Sequence, residues 1–177
     1  MTSDETNKSL EDLLAKDAIR ELVLLYCRGV DRKDFALLRT LYTRDGVDAH
    51  GIRYDGSAEG FVDYLETSLA PVEIGAHYVC NHLISVDGDR AEGEVYALGY
   101  HILPDGQGGR IEDFAGVRYL DKYRVEDGRW KFASRNVMFD FEHRQPIPAR
   151  SEAETRTDTD GSYSFLTARV FAAGRRQ

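Results

Sequence analysis

The sequence predicts an α+β fold in which three N-terminal helices pack on one face of a mostly antiparallel sheet. Three observations indicate this fold. Apolar residues recur at helical spacing over the first 70 positions, and from residue 74 onward they alternate with polar ones as in strands. The chain has 177 residues, 42% of them apolar, which suffices for one domain with one core. Helices followed by strands, without regular alternation of the two, are typical of α+β domains.

The helical part divides into three segments. The first is predicted from Ser9, which with Asp12 resembles a capping box, to about Gly29. Asp34 is a candidate cap for a shorter second helix, and a third follows Ser57 and closes before residue 71. The apolar stripe of the first helix consists of Ile19, Leu22, Val23, Tyr26 and Val30.

Four long strands are predicted after the helices, over residues 74–86, 90–103, 110–125 and 129–143. Glycine-containing turns separate them, so each strand pairs with the next in antiparallel fashion. The run 47–50 is a predicted short edge strand between the second and third helices. A sheet of this length can curl around the helices.

These elements define one domain over residues 9–145. Residues 1–8 are polar and are predicted to be a disordered N-terminus. Residues 146–177 form an extension that is first polar and then apolar. Such an extension can cap the domain's own cavity, cover a neighbouring subunit, or be a disordered tail.

The composition excludes several classes of partner. The chain carries 23 Lys and Arg against 31 Asp and Glu, a net charge of −8, which is opposite to a surface that binds nucleic acid. No apolar run approaches the ~20 residues of a membrane span, and the start of the chain does not resemble a signal peptide. We therefore expect a cytoplasmic protein without a membrane or nucleic-acid partner. Cys27 and Cys80 show no metal or disulfide spacing and are expected to be buried thiols.

Two residues of the first helix are candidates for chemistry. Asp31 places a carboxylate at the negative end of the helix dipole, where a cation would be favoured. A simple turn residue is the alternative explanation. Tyr26 lies on the apolar stripe, so its hydroxyl group needs either a partner or a cavity, unless its ring only fills the core.

The strand at 74–86 adds further candidates. Strict alternation places His77, Val79, Asn81 and Leu83 on one face and His82 on the other. If the helices cover the first face, His77 and Asn81 point into the same space as Tyr26. A buried histidine with a structural role is the alternative. The five histidines show no metal-ligand spacing, so no metal site is predicted.

The last strand and the short strand supply weaker candidates. Arg135 shares a face with Val137 and Phe139, and an arginine on such an apolar face needs a partner or a bound anion. His50 ends the short strand and is a candidate of the same kind. Trp130 and Phe132 fall on the opposite face and are expected to supply apolar surface for a homo-oligomer.

Three stretches of the chain resemble a known family. They are AIRELVLLYCRGVDRKDFALLRTLY, DYLETSLAPVEIGAHYVCNHLISVDGDRA and DKYRVEDGRWKF, which together fall within residues 12–143. They are similar to the SnoaL-like branch of the nuclear-transport-factor-2-like superfamily, which includes scytalone dehydratases, hexachlorocyclohexane dehydrochlorinases and bile-acid 7α-dehydratases. The resemblance is greatest to the last group. It implies a cone-shaped α+β barrel and a homotrimer.

The resemblance also assigns roles to residues. Tyr26, Asp31 and His77 match the catalytic tyrosine, aspartate and histidine of the dehydratases. His50 stands where that group has a second pocket tyrosine, and Phe139 where it has an arginine. His50 and Phe139 are therefore expected to bind substrate, together with Asn81 and Arg135.

The reaction that this resemblance implies is the removal of water from a hydroxylated polycyclic compound, a 3-oxo steroid or a bile acid, without a cofactor. His77 is the expected general base, Asp31 orients its ring, and Tyr26 donates a hydrogen bond to the enolate oxygen. An isomerase and a dehydrochlorinase would use the same residues. A carrier of hydrophobic ligands on the same fold is the alternative without catalysis.

Overall fold

The computed structural model describes residues 3–148 and 160–174 and has helices packed on one face of a curved six-stranded sheet, which confirms the predicted fold class. The helices are α1 (Ser3–Asp31), α2 (Phe35–Leu41), α3 (Ala58–Ser68) and α4 (Ser162–Phe165), with a 3-10 helix over Arg169–Phe171. The strands are β1 (Tyr42–Ala49), β2 (Asp55–Ser57), β3 (Ile74–Asp87), β4 (Arg90–Pro104), β5 (Arg110–Glu126) and β6 (Arg129–Ile147).

Helix α1 begins at Ser3 and not near Ser9, so residues 3–8 form its first turns. Ser9 is an interior residue whose hydroxyl group donates to the carbonyl oxygen of Glu5 at 2.8 Å, and it does not cap the helix. The five residues of the predicted apolar stripe are all buried, as expected.

The cap predicted for the second helix, Asp34, is confirmed, and Ser57 caps the third. The backbone N–H of Leu37 donates to Asp34 Oδ1 at 3.0 Å, and that of Gly60 donates to Ser57 Oγ at 3.2 Å. Each side chain satisfies an N–H group that would otherwise lack a partner in the first turn. These contacts fix the starts of α2 and α3.

The sheet has the strand order β2-β1-β6-β5-β4-β3. Strand β1 lies inside the sheet, parallel to β6, and the three-residue β2 forms the edge. The prediction of 47–50 as an edge strand is therefore wrong. All the other neighbouring pairs are antiparallel, as the hairpin turns predicted.

A β-bulge in β3 changes which side chains face the helices. His77 and Val79 pair with Gly99 and Ala97, but the register then shifts before His82, which pairs with Val95. The extra residue reverses the alternation. His82 therefore lies half-buried on the helix side, whereas Asn81 and Leu83 are exposed. The predictions for His82 and for an inward-facing Asn81 are wrong for this reason.

A second register shift alters β6. Lys122 pairs with Ser134 and Tyr123 with Phe132, so one residue of β6 is left over and both Phe132 and Arg135 face the core. Phe132 is fully buried. It therefore cannot provide the exposed oligomer surface predicted for it.

The core lies between the helices and the inner face of the sheet. It joins residues of α1 and α3 to the buried side chains of β4, β5 and β6. Its members include Ile19, Leu22, Val23, Phe61, Val62, Val95, Tyr119 and Phe132.

The segment 160–174 packs against the C-terminal end of α1. Arg32 Nε lies 2.5 Å from Asp160 Oδ2, and the guanidinium group of Arg28 lies over the ring of Tyr163 at 4.9 Å. The N–H of Gly174 donates to Asp34 Oδ2 at 2.7 Å. This segment is thus held next to the residue that ends α1.

Cys27 is buried as expected, but Cys80 is exposed at the bulge of β3. Across residues 3–148 and 160–174, no helix is long and apolar enough to cross a membrane.

Candidate active site

The end of α1 and the start of β3 meet at a carboxylate and an imidazole. Asp31 Oδ1 lies 2.6 Å from His77 Nδ1, and Asp31 Oδ2 accepts the backbone N–H of His77 at 3.0 Å. Both side chains are about nine-tenths buried, with 10% and 11% of their surfaces exposed. The predicted contact between these two residues, 46 positions apart, is present.

The two contacts fix the histidine ring. Because the carboxylate binds Nδ1, the proton of a neutral ring resides there and Nε2 carries the free lone pair. Within the described residues, Nε2 has no hydrogen-bond partner, and it lies 3.5 Å from the place that a Cβ atom at Gly99 would occupy. The glycine therefore leaves space beside the nitrogen that can take a proton.

Arg32 strengthens the junction of α1 and β3. Its guanidinium group donates to the carbonyl oxygens of Asp31, at 3.3 Å, and Gly75, at 3.5 Å. The same group binds Asp160. Arg32 therefore links the segment 160–174 to the backbone on both sides of the Asp31–His77 pair.

A second histidine lies beside His77 and was not predicted from the sequence. The rings of His77 and His101 are 5.4 Å apart and nearly perpendicular. Burial, and secondarily the charge of the nearby His77, lower the pKa of His101 to about 4, so His101 is neutral near pH 7. Its Nε2 is buried without a hydrogen-bond partner.

A second carboxylate–imidazole pair follows β1. Asp48 Oδ1 lies 2.5 Å from His50 Nδ1, and Asp48 Oδ2 accepts the hydroxyl of Tyr42 at 2.6 Å. The ring of His50 stacks on Phe61 with centroids 4.4 Å apart. His50 was a predicted candidate and Asp48 was not, although a spacing of two residues in extended chain predicts a shared face.

Tyr26 lies in the core next to Arg135. The guanidinium carbon of Arg135 is 4.1 Å from the ring centroids of Tyr26 and Tyr119 and 4.2 Å from that of Phe132. Burial, and secondarily the charge of Asp48, raise the pKa of Tyr26 well above its usual value, so its hydroxyl group keeps its proton. It is therefore a hydrogen-bond donor at every pH of interest.

Arg135 is bound to a carboxylate that the sequence analysis did not pair with it. Its Nε and one terminal nitrogen donate to Asp121 at 2.8 and 2.7 Å, and neither side chain has exposed surface. The hydroxyl group of Tyr123 also donates to Asp121, at 2.8 Å. Arg135 is thus committed to Asp121 and lies beneath the site, where its contact with Tyr26 affects the site indirectly.

Phe139 lies at the outer part of the site. The guanidinium carbon of Arg53 is 4.2 Å from its ring centroid, and Arg53 also binds Glu142 at 2.6 Å. A Cβ atom at Gly51 would lie 3.8 Å from the Phe139 ring. The loop after His50 therefore packs on Phe139, which keeps these two predicted binding residues in one region. Asn81, the fourth predicted binding residue, is exposed in the bulge of β3 and lies outside it.

Solved structures of several proteins share this fold. The Kfla4162 protein from Kribbella flavida is 18% identical, with a TM-score of 0.68 over 75% of this chain and 95% of that one. Hexachlorocyclohexane dehydrochlorinase LinA-type3 from Novosphingobium barchaimii LL02 is 23% identical, with a TM-score of 0.68 over 83% and 99%. A protein from Novosphingobium aromaticivorans DSM 12444 that is provisionally named a scytalone dehydratase is 18% identical, with a TM-score of 0.67 over 79% and 92%. At these identities the matches show the fold alone.

No curated protein matches the chain. The SnoaL-like domain matches residues 11–136, which run from within α1 to the first part of β6 and include both carboxylate–imidazole pairs. The chain therefore belongs to the SnoaL-like domain family.

Proposed function

We propose that the protein is a cofactor-independent lyase that removes water from a hydroxylated polycyclic substrate, with a 3-oxo steroid or a bile acid as the expected class. The observation that supports this proposal most directly is the Asp31–His77 pair, in which one carboxylate binds both the ring and the backbone of a histidine. A base fixed in this way has one nitrogen available for a proton.

His77 takes the proton from the carbon next to the substrate carbonyl group. Asp31 holds the ring in place and stabilises the imidazolium ion that forms. Transfer of this kind contributes about a hundredfold to ten-thousandfold to a rate. The electron pair left on carbon moves to the carbonyl oxygen and then forms the double bond as the hydroxyl group departs.

Tyr26 is proposed to donate to the carbonyl oxygen as negative charge develops there. Its raised pKa supports this role, because the phenol remains a donor throughout the reaction. The guanidinium group of Arg135 against its ring adds positive charge beside the developing enolate.

A flat polycyclic substrate is supported by the aromatic groups of the site. His50 and Phe61 are stacked, and Phe139 lies nearby under Arg53. The choice of a steroid or bile acid rests on the sequence resemblance of Tyr26, Asp31 and His77 to the catalytic residues of bile-acid 7α-dehydratases. An elimination reaction is supported by the shared fold with a dehydrochlorinase, an enzyme named for the removal of a proton and a chloride.

The test is incubation with a panel of hydroxysteroids and hydroxylated bile acids that carry a 3-oxo group, with mass spectrometry to detect the loss of one water. We expect Asp31→Asn to lower turnover by about a hundredfold or more, because the amide cannot stabilise the imidazolium ion. Asp63→Asn is the matched control, since Asp63 is exposed and binds the surface residue Arg39.

Three outcomes are distinguished. Loss of water in the wild type and its reduction in Asp31→Asn support the proposal. Binding of the compounds without conversion, equal in the two proteins, indicates a carrier. Conversion without loss of mass indicates an isomerase.

A further inference from the structure

The Asp48–His50 pair resembles the Asp31–His77 pair in its geometry. In each, Nδ1 of a mostly buried histidine contacts a buried carboxylate at 2.5 or 2.6 Å. The proposed base needs only one such pair. We propose that His50 is a second catalytic residue, the general acid that protonates the departing hydroxyl group; this inference rests on the proposed elimination reaction.

The ring of His50 is held in one orientation. Asp48 binds Nδ1 on one side, and Phe61 stacks on the face of the ring. Nε2 forms no hydrogen bond with any described residue, and 16% of the side chain is exposed. When the His50 ring carries a proton on both nitrogens, the proton of Nε2 is therefore directed to a molecule that enters the site.

A positive charge next to the carboxylate of Asp48 is energetically favourable. The side chain of Asp48 has no exposed surface, and it also accepts the hydroxyl group of Tyr42, a neutral donor that cancels only part of its charge. Arg135, its neighbour in the β1–β6 ladder, is already bound to Asp121. An imidazolium ion at His50 neutralises a buried charge that would otherwise be costly.

The two pairs lie at the same end of the fold. His50 follows the C-terminal end of β1, and the loop after it packs on Phe139 through Gly51 and Arg53. The charge of Arg53 also contributes to the lowered pKa of His101, whose ring contacts His77. A polycyclic substrate packed on Phe139 would have His77 on one side and His50 on the other.

The bonds and protons that change in the reaction support two separate groups, one base and one acid. The C–H bond breaks and its proton goes to Nε2 of His77, the electron pair forms the new double bond, and the C–O bond breaks. Hydroxide is a poor leaving group, so the proton of His50 Nε2 goes to the departing oxygen and water leaves. His77 then loses its proton to solvent and His50 takes one up, which restores both residues.

The experiment compares leaving groups. It uses the hydroxysteroid that is converted best in the panel above and its chloro counterpart, because chloride departs without a proton. The variants are His50→Asn, whose amide replaces Nδ1 and keeps a donor to Asp48, and His77→Asn. His143→Asn is the control, since that histidine is 52% exposed.

We expect His50→Asn to lower kcat/KM for loss of water by about a hundredfold and for loss of chloride by less than about threefold. His77→Asn should lower both by similar factors, because both reactions need the base. His50→Gln, which can donate a hydrogen bond at the place of Nε2 but cannot transfer a proton, should behave as His50→Asn does. Circular dichroism checks that the variants are folded.

The inference is overturned if His50→Asn lowers kcat/KM equally for loss of water and loss of chloride, or lowers it for neither. Equal loss shows that His50 only binds or positions the substrate. If the wild-type protein eliminates neither water nor chloride, the proposed lyase activity fails, and the acid role of His50 falls with it.

Discussion

At the scale of single residues, the buried charge of Arg135 holds together the side chains beneath the site. Asp121 binds two of its nitrogens, and three aromatic rings surround its guanidinium carbon at about van der Waals distance. Removing one member of such a pair leaves an uncompensated charge in the core, whereas replacing both by apolar groups does not.

We therefore expect Asp121→Asn to lower the free energy of unfolding by about 3 to 5 kcal/mol. Urea denaturation measures the change. The double variant Asp121→Leu with Arg135→Met is expected to recover most of it. If the single and double variants are equally unstable, packing and not charge dominates at this position.

The hydroxyl group of Tyr26 is expected to act in chemistry and not only in packing. Tyr26→Phe removes one oxygen, so the free energy of unfolding should change by about 1 kcal/mol or less. Turnover on the identified substrate should fall by about tenfold to a thousandfold, as for one donor to a developing oxyanion. Wild-type turnover in this variant, measured by steady-state kinetics, would show that the tyrosine only fills the core.

The candidate residues differ in how well the sequence predicts them. The Asp31–His77 contact was predictable because each residue is unusual at its own position and because both match a family motif. His101 was not, since its approach to His77 depends on the register of two strands. Asp121 and Arg135 lie on adjacent strands, and only the pairing of those strands shows that they meet.

At the scale of elements, the helices and the order of the strands follow from periodicity, whereas the faces of two strands do not. One extra residue in β3, at Cys80–Asn81, and another in β6, Ala133, reverse the alternation beyond each bulge. Neither segment contains a glycine or proline that marks such a position. Asn81 and Phe132 were consequently assigned to the wrong faces.

The contact of α1 with α2 provides a prediction about packing. A Cβ atom at Gly29 would lie 2.7 and 2.8 Å from two carbons of the fully buried Leu38. Gly29→Ala should lower the free energy of unfolding by about 1 to 3 kcal/mol, although alanine favours helices in general.

Gly161→Ala is the matched control for this change, because no atom of the described residues lies within 4 Å of its Cβ position and its φ of −67° suits alanine. Urea denaturation compares the two variants. Equal stability of Gly29→Ala and the wild type would mean that α2 moves away from α1 without cost.

At the scale of the whole molecule, two histidines make stability depend on pH. Burial lowers the pKa values of His82 and His101 from 6.5 to about 4. Between these values the unfolded chain binds protons that the folded protein does not. The stability that this provides is fully present above pH 6.5 and is lost as the pH falls towards 4.

We expect the free energy of unfolding to fall when the pH is lowered from 7 to 5. The fall should be less steep in His101→Gln, because this variant lacks a group that takes up as much as about one proton on unfolding. Urea denaturation over this range provides the measurement. An identical slope in the variant would show that His101 is not a buried neutral base.

The predicted homotrimer is retained as a prediction, with a different surface from that first assigned. Exposed apolar side chains occur on β3, β4, β5 and β6, and they include Tyr78, Leu83, Tyr96, Leu120 and Met138. Light scattering at micromolar concentration should give a mass of about three chains, and Leu83→Lys should reduce it. The mass of a single chain for the wild type would refute the prediction.

The parallel pairing of β1 with β6 has a consequence for folding. Strands β3 to β6 join neighbours in sequence, and His77 meets Asp31 after a loop of moderate length closes. Strand β1 instead pairs with β6, which begins about eighty residues later in the chain. Closing this long loop is slow, because its entropic cost is incurred before the contacts between β1 and β6 form. The contact between Asp48 and His50 spans two residues and is local, but the placement of this pair against β6 is therefore completed late.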